Sequence, residues 1–454
     1  MRTFFALLTC RLTKTLLRLL GRGGTALPGK VALKLCPGIL GVLASRVRTV
    51  VVTGTNGKTT SSRIVEQALY EADLPYFSNR SGANLIQGIV SEYAAHATLT
   101  GKPLSDYAVI ECDEGALRAV CGWVSPAVIL VTNVFSDQLD RFGDVKNTLA
   151  AIRAGIAAAP DATLCLNADC SLCGTLADNL PNPVIFYGCD VPVYRAAADE
   201  LSDAPTCVRC GAPLRYSYRT YAHLGGFSCP DCGYSRPSAQ VAVTSVTERS
   251  ADGTRVALSL GGVAHDALIN APGGYNIYNA AGAAAVCEAL GLSAEVALRA
   301  LSDFKCGFGR MEKLNLGGVS ARMILVKNPA GCNQALAFAS ELDGEVLLVA
   351  ALNDNTGDGT DTSWIWDADF GRLSALGDRL TGFIVSGTRA DELALRLKYA
   401  GIPTDKLHVL YSWDELIDAV TAQSAPVVIL PTYSAMMELR GKLSAKFGLA
   451  DFWE

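Results

Sequence analysis

Nowhere in this chain do about 20 apolar residues run unbroken by charge, Gly or Pro, which argues against a membrane-spanning helix, although 50% of the residues are hydrophobic. Charged residues are scarce, at 18%, so the sequence reads as a soluble protein with unusually dry surfaces. A basic excess is missing too. The net charge of -5 argues against wholesale binding of nucleic acid, which needs a basic face to neutralise phosphates. A secretory leader is also lacking, because the longest apolar run near the start, residues 4–8, is shorter than a leader core of about 7–15 residues. Arg2, Arg11, Lys14 and Arg18 recur through that segment instead, as on an amphipathic helix. It reads as a docked helix, with peripheral contact at a membrane surface as the rival reading. The 15 cysteines are an odd count for a disulfide framework, and most stand singly in apolar stretches, as Cys112, Cys165 and Cys287 do. A reducing cytoplasm fits that usage.

What is present begins with length: 454 residues suggest two to four domains at about 100–200 residues each. A β-branched stretch, 48–52, is followed by Thr53-Gly-Thr-Asn-Gly-Lys-Thr-Thr60 and then by a helical pattern over 61–71. Strand, glycine loop and helix in that order make a phosphate cradle, because glycines let backbone N–H groups converge and the helix adds its positive end. Thr53, Gly54, Thr55, Asn56, Gly57, Lys58, Thr59 and Thr60 are therefore candidate nucleotide contacts. Lys58 would reach the β/γ-phosphates, and Thr59 would give a hydroxyl to magnesium. The commonest loop pattern would put its first glycine at Val52, so Gly54 must serve in its place.

Residues 107–114 read as a buried strand ending in three carboxylates. Glu111, at the end of a parallel strand, is the candidate for magnesium. Asp113 and Glu114 read as charges that open the next helix. The loop TGTNGKTT resembles that of the Mur ligase and folylpolyglutamate synthase superfamily, which activates a carboxylate as an acyl phosphate and lets an amine attack it. The resemblance implies ATP and magnesium as cofactors, and a fold with a Mur ligase-like central α/β ATPase domain and a smaller Rossmann-like α/β domain after it.

Further segments are similar to the same superfamily. Asn133 and Asp137, after a strand at 127–132, would line the nucleotide and metal region. Gln138 stands where the amino-acid-adding members carry a metal-binding histidine. Their modified lysine has no counterpart between Lys146 and the strand at 163–167, where Arg153 would supply charge instead. Pro272-Gly-Gly-Tyr-Asn-Ile-Tyr-Asn279 resembles the adenine segment, with Tyr275 replacing a histidine and Asn276 as the adenine contact. Phe308-Gly-Arg-Met-Glu-Lys313 matches an element whose arginine meets ATP phosphate, a role that falls to Arg310.

Cys207-Val-Arg-Cys210-Gly and Cys229-Pro-Asp-Cys232-Gly are two knuckles with zinc-ribbon spacing. Four thiolates favour tetrahedral zinc in a closed, structural shell. The ribbon, about 204–237, must be an insertion in the central domain. Cys170 and Cys173 form a further CxxC with no second pair nearby and read as incidental, while His223 reads as ribbon surface.

Strands at 323–326, 346–351, 382–385 and 427–430 point to the second α/β domain. The expected organisation is a helical segment at 1–47, the central domain at 48–313 and the C-terminal domain at 314–454. Lys327-Asn-Pro-Ala-Gly331 replaces the segment by which amino-acid-adding members hold their acceptor end. The polar stretch 352–367, with Asp354, Asp358, Asp361, Trp364 and Trp366, follows a strand and reads as functional. A calcium loop is the rival there, but the stretch lacks the closing glutamate of an EF-hand.

The ATP loop, the four-cysteine insertion and D-G-x-D-x-S-W-I-W-D together resemble the MurT family, the synthetase subunits of lipid II isoglutaminyl synthase. That resemblance implies a separate glutaminase partner, GatD, which supplies ammonia, and lipid II as substrate, met at the inner face of the cell membrane. It also implies that an aspartate of the loop completes the partner's Cys-His pair. Asp361 is the choice, with Asp358 and Asp354 in reserve. Trp364 and Trp366 read equally as partner anchors and as core. The chain itself shows no cysteine elbow with a matched histidine among His96, His223, His265 and His408. Folylpolyglutamate synthase has no reason to carry the ribbon or the tryptophan loop, and the missing histidine and lysine leave an ATP-binding scaffold without turnover as the non-enzymatic alternative.

Overall fold

A computed structural model of the chain describes residues 1–20, 25–80, 82–136, 145–194, 203–307 and 309–449. Three helices, Arg2–Leu19, Leu27–Leu35 and Ile39–Ala44, precede the first strand.

The central sheet starts with β1 (Arg48–Thr53), β2 (Tyr76–Ser78), β3 (Tyr107–Glu111), β4 (Val128–Val131), β5 (Thr163–Asn167) and β6 (Val184–Cys189), all parallel. Their near-continuous Val/Ile/Leu runs suit strands covered on both faces. A separate hairpin, β7 (Arg215–Tyr221) and β8 (Leu224–Ser228), comes next, and the chain then returns with β9 (Val241–Arg249), β10 (Thr254–Leu260) and β11 (Val263–Ile269). The order across the sheet is β11-β10-β9-β6-β5-β4-β1-β3-β2. Because β9 lies directly beside β6, the cysteine-bearing segment between them is an insertion.

β1 sits between β3 and β4, with Val52 opposite Glu111 and Thr53 opposite Val131. The loop leaving β1 therefore emerges between the ends of two neighbours, where ligands of open parallel sheets bind. The helix Lys58–Glu71 packs beside the helix Gly274–Leu290. The latter is rich in alanine and buried nearly throughout, so its backbone can approach the sheet closely.

The second sheet contains β12 (Arg310–Leu316), β13 (Val319–Ile324), β14 (Val346–Ala351), β15 (Leu380–Ser386), β16 (Leu407–Val409) and β17 (Val427–Pro431), in the order β12-β13-β17-β14-β15-β16. All but β12 run parallel. Pairing of β12 with β13 begins at Arg310, so residues 310–313 belong to this sheet and not to the central domain, where the sequence had put them. The alternation of exposed and buried residues along β12 marks a strand that amphipathic pairing, not domain composition, positions.

Candidate active site

The loop after β1 is held by its own glycines and by Asn133. Gly54 has φ +116°, and a Cβ there would fall 2.4 Å from the Thr132 hydroxyl and 2.8 Å from the Asn133 carbonyl. Gly57 has φ +86°, and its Cβ would meet Asn279 Oδ1 at 2.1 Å. Only glycine fits either position without strain. Asn133 Oδ1 accepts the Asn56 N–H at 2.9 Å, and its Nδ2 donates to the Asn56 carbonyl at 3.0 Å. Thr55 exchanges two hydrogen bonds with the Phe135 backbone, at 2.9 and 3.2 Å. Thr53 and Gly54 lie behind the loop and line neither cavity described below.

Thr59 Oγ1 donates to Glu111 Oε2 at 2.9 Å. The hydroxyl and the carboxylate that the sequence paired for magnesium therefore adjoin one another, a hard oxygen set suited to that ion. Asn79 fixes Glu111 by accepting its N–H at 2.9 Å and donating to its carbonyl at 2.8 Å. Lys58 Nζ donates to the Gly54 and Thr55 carbonyls and, at 2.8 Å, to Glu114 Oε1. Glu114 is thus more than a charge opening a helix: the next helix starts only at Leu117, and the buried carboxylate turns back to Lys58. Its place as the last acid of Glu-Cys-Asp-Glu was the one sequence signal.

A cavity of about 290 Å³ opens on this group. The second domain closes its far side with Arg310, Lys327, Asp358 and Tyr433. Asn328 Nδ2 reaches Asn56 Oδ1 at 3.1 Å, tying the start of the helix Pro329–Glu341 to the phosphate loop. A smaller pocket of about 60 Å³ adjoins it, lined by Gly57, Thr60, Tyr221, Tyr275, Asn279 and Gln334 among others. Three cations and four carboxylates (Glu111, Asp113, Glu114, Asp358) face the larger cavity, the mixed charge that a metal-bound polyphosphate needs. A larger crevice, about 390 Å³, lies between the domains and contains no phosphate-loop residue. Its Asp252 is ion-paired with Lys313 and Arg322.

Several expectations change. Asn276 is buried, donating to the Pro272 carbonyl at 2.7 Å and accepting from Asn279 at 2.9 Å. From this helix start it is Asn279, one helical turn later, that lines the smaller pocket, beside Asn56 and Asn133. Arg153 lines neither cavity. It donates to the carbonyls of Thr175, Leu176 and Asp178 at the end of a short turn. Asp137 and Gln138 lie outside the described residues, as does Phe308.

The four sulfurs of Cys207, Cys210, Cys229 and Cys232 lie within 4.8 Å of one another, with Cys207–Cys232 at 3.6 Å and Cys210–Cys229 at 3.4 Å. Gly211 and Gly233 close the two knuckles at φ +82° and +74°. Cys229 is held down to about 7, first of all by the Cys232 backbone N–H. These four can hold a metal ion.

The hairpin that carries them is not a surface appendage. At its tip His223 is fully buried, with Nε2 3.5 Å from Cys170 Sγ and its ring 4.6 Å from Phe135. It is therefore not ribbon surface. The backbone of Cys170 bridges to Leu224 of the hairpin, and Cys170 and Cys173 join no metal-type cluster among the described residues. Burial opposes ionisation of both thiols, but the Cys173 thiol and the His223 ring draw Cys170 well below the ordinary thiol value. Tyr221 stacks on Phe135, with centroids 5.8 Å apart, and lines the smaller pocket. The ribbon thereby supplies a wall of that pocket, which two distant sequence segments gave no means of foreseeing. Although Cys170 and His223 form a Cys-His pair, both are sealed from solvent and line neither cavity. Cys112 is likewise buried, and burial pushes its thiol well above the ordinary value.

In the polar loop, Asp358 is buried and accepts from Ser434 N and Oγ at 2.6 and 2.5 Å. Asp354 pairs with Arg389 at 2.8 Å. Asp361 is exposed, and the Ser363 hydroxyl and N–H hold its carboxyl below the usual range. Of the three candidates it alone points a carboxylate outward without a cationic partner among the described residues. Trp366 is 46% exposed, stacked edgewise on Tyr399, while Trp364 packs on the core.

Comparison with known proteins gives two family matches: Mur ligase middle domain over residues 52–210 and MurT ligase C-terminal over residues 325–436. The chain is 34% identical to the lipid II isoglutaminyl synthase (glutamine-hydrolyzing) subunit MurT of Streptococcus pneumoniae, over 98% of both chains. Its fold is similar to that of a pseudomurein peptide ligase type C from Methanothermus fervidus, with TM-score 0.68 and 19% identity over 88% of this chain and 79% of that one. It is also similar to a MurF ligase from Thermotoga maritima solved in complex with ADP, with TM-score 0.63 and 14% identity over 92% and 84%.

Proposed function

The chain belongs to the MurT family of Mur-ligase-like subunits, and from that membership we propose that it uses ATP to amidate the α-carboxyl of D-glutamate in the lipid II stem peptide, giving D-isoglutamine. The observation that carries this reading is the single cavity in which Lys58 and the Thr59–Glu111 pair face Arg310 and Lys327 of the second domain. Such a cavity suits phosphoryl transfer to an acceptor lying between two domains.

A carboxylate is a poor electrophile, so it must first be activated. A carboxylate oxygen attacks the γ-phosphorus, the bond to the bridging oxygen breaks, and ADP leaves. The ammonia nitrogen then attacks the carbonyl carbon of the acyl phosphate, the carbon–oxygen bond to phosphate breaks, and inorganic phosphate departs as the surplus proton passes to solvent. Lys58 and Arg310 offset charge on the transferring group. Thr59 and Glu111 would hold magnesium, which screens the phosphate oxygens when bound. Cys207, Cys210, Cys229 and Cys232 would hold zinc, since zinc–sulfur bonds of about 2.3 Å set sulfurs roughly 3.8 Å apart. With Lys327-Asn-Pro-Ala-Gly331 in place of an amino-acid-binding segment, ammonia is the nucleophile that needs least recognition.

Ammonia comes from a GatD-type glutaminase subunit, because the Cys170–His223 pair and Cys112 of this chain are sealed. Exposed Asp361 completes that subunit's Cys-His pair. The work is done in the cytoplasm at the inner face of the membrane that carries lipid II. The test is mass spectrometry of lipid II incubated with the chain, magnesium-ATP and ammonium, beside Lys58→Ala. A mass loss of about 1 Da, the change from hydroxyl to amine, absent in the variant, supports the reading. No change under ammonium, nor with glutamine and the glutaminase, refutes it.

A further inference from the structure

The helix Arg2–Leu19 has two unlike faces. Ala6, Leu7 and Cys10 are sealed where it packs on the helices Leu27–Leu35 and Ile86–Ala95. Arg11 and Lys14 are engaged on that side, with the Ala97 carbonyl and, at 3.4 Å, Glu92. The opposite face carries Phe5, Leu12, Leu16 and Leu19, between 57% and 80% exposed. Steps of seven, four and three residues put these four on one stripe of a helix. Val42 and Leu104, elsewhere on the surface, are also 47% and 61% exposed.

Charge within the segment that carries this helix has one sign. Residues 1–47 contain eight Lys and Arg and no Asp or Glu, in a chain whose net charge is -5. Arg2, Lys30, Lys34 and Arg46 are exposed. An apolar stripe on a segment whose charges are all cationic is the make-up of a helix that lies in a lipid interface, and such a segment complements anionic headgroups better than the mixed charges of a protein surface. Among the described residues no helix is long and apolar enough to cross a membrane. We propose that the helix Arg2–Leu19 is a docking surface for an anionic lipid bilayer, lying on it with Phe5, Leu12, Leu16 and Leu19 inserted and the neighbouring lysines on the headgroups. This docking does not depend on the amidation reading, and bare vesicles test it separately.

The full-length chain is sedimented with phosphatidylcholine vesicles, with and without phosphatidylglycerol. Binding is expected only with phosphatidylglycerol, and it weakens with added salt. Lys30→Ala and Lys34→Ala each reduce it by roughly fivefold, the equivalent of about 1 kcal/mol per basic residue. Leu12→Glu with Leu16→Glu abolishes it while thermal unfolding and ADP binding stay unchanged, and Leu19→Ser serves if that pair impairs folding. Failure of the wild-type chain to bind phosphatidylglycerol vesicles overturns the proposal. So does wild-type binding by the stripe variants, or a dimer in light scattering that the stripe variants dissolve without any vesicle binding.

Discussion

Replacing Gly57 by alanine tests the phosphate loop most directly, because two separate costs fall on one methyl group. The residue sits at φ +86°, a conformation that costs a residue with a Cβ about 1–2 kcal/mol. The new Cβ would also lie 2.1 Å from Asn279 Oδ1 and 3.0 Å from its Cγ. Asn279 is buried and donates to Asn276 Oδ1 at 2.9 Å, so displacing it orphans a buried amide, worth about 1–3 kcal/mol. Together these give about 2–5 kcal/mol, a loss of ADP affinity of roughly 30-fold at the low end. The cost should appear in nucleotide binding, since the loop must hold this shape for its N–H groups to converge. Calorimetric titration with ADP measures it, with thermal unfolding as a control for the fold. Gly318→Ala is the matched variant: φ is +103° and nothing lies within 4 Å of its Cβ, so backbone strain appears there without any change in ADP affinity. Adding Asn279→Ala to Gly57→Ala should restore the part due to the clash. Wild-type ADP affinity in Gly57→Ala, or a double variant weaker than the single one, would refute the reasoning.

Glu111→Gln keeps an acceptor for Thr59 but removes the charge; magnesium titration of ADP binding should show at least a tenfold weaker response, with binding in EDTA unchanged. Tyr221→Ala should destabilise the chain by about 3–5 kcal/mol, read by denaturant unfolding, and weaken ADP binding several-fold, since Phe135 loses the ring packed at 5.8 Å while it holds Thr55. Stripping metal with a chelator should weaken ADP binding in the same way, with loss of the metal followed by atomic emission. Asp361→Asn should abolish amidation driven by glutamine and leave amidation driven by ammonium intact, in the mass-spectrometric assay with both subunits.

Local motifs were legible to the extent that their chemistry is local. Strand β1, the loop Thr53–Thr60 and the helix after it follow from β-branching, glycine and a helix start within one short run, and the two cysteine knuckles each close on a glycine a residue later. Glu111 was readable because the end of a parallel strand is a recurring place for a carboxylate. Glu114 was not, since the same acid serves equally well as a helix-opening charge, and only its turn toward Lys58 decides. Asn276 and Asn279 are both asparagines at one helix start; helical phase, fixed by packing of the Gly274–Leu290 helix against the sheet, sends the second toward the pocket. Arg310 faces the cavity that Lys58 lines but from the second sheet, because a β-pairing with β13 cannot be seen from the composition of β12.

By itself the sequence pointed to a strand, glycine loop and helix in that order, two cysteine knuckles and two parallel-sheet domains, each set by residues close together along the chain. Tertiary structure decided which separated residues meet. It buried His223 against Cys170, drove the ribbon's Tyr221 against Phe135, brought Asn328 to Asn56, spent Asp358 on Ser434 and left Asp361 facing outward. Those outcomes depend on how sheets and helices pack, where burial of apolar area selects one arrangement among many that the same local preferences allow.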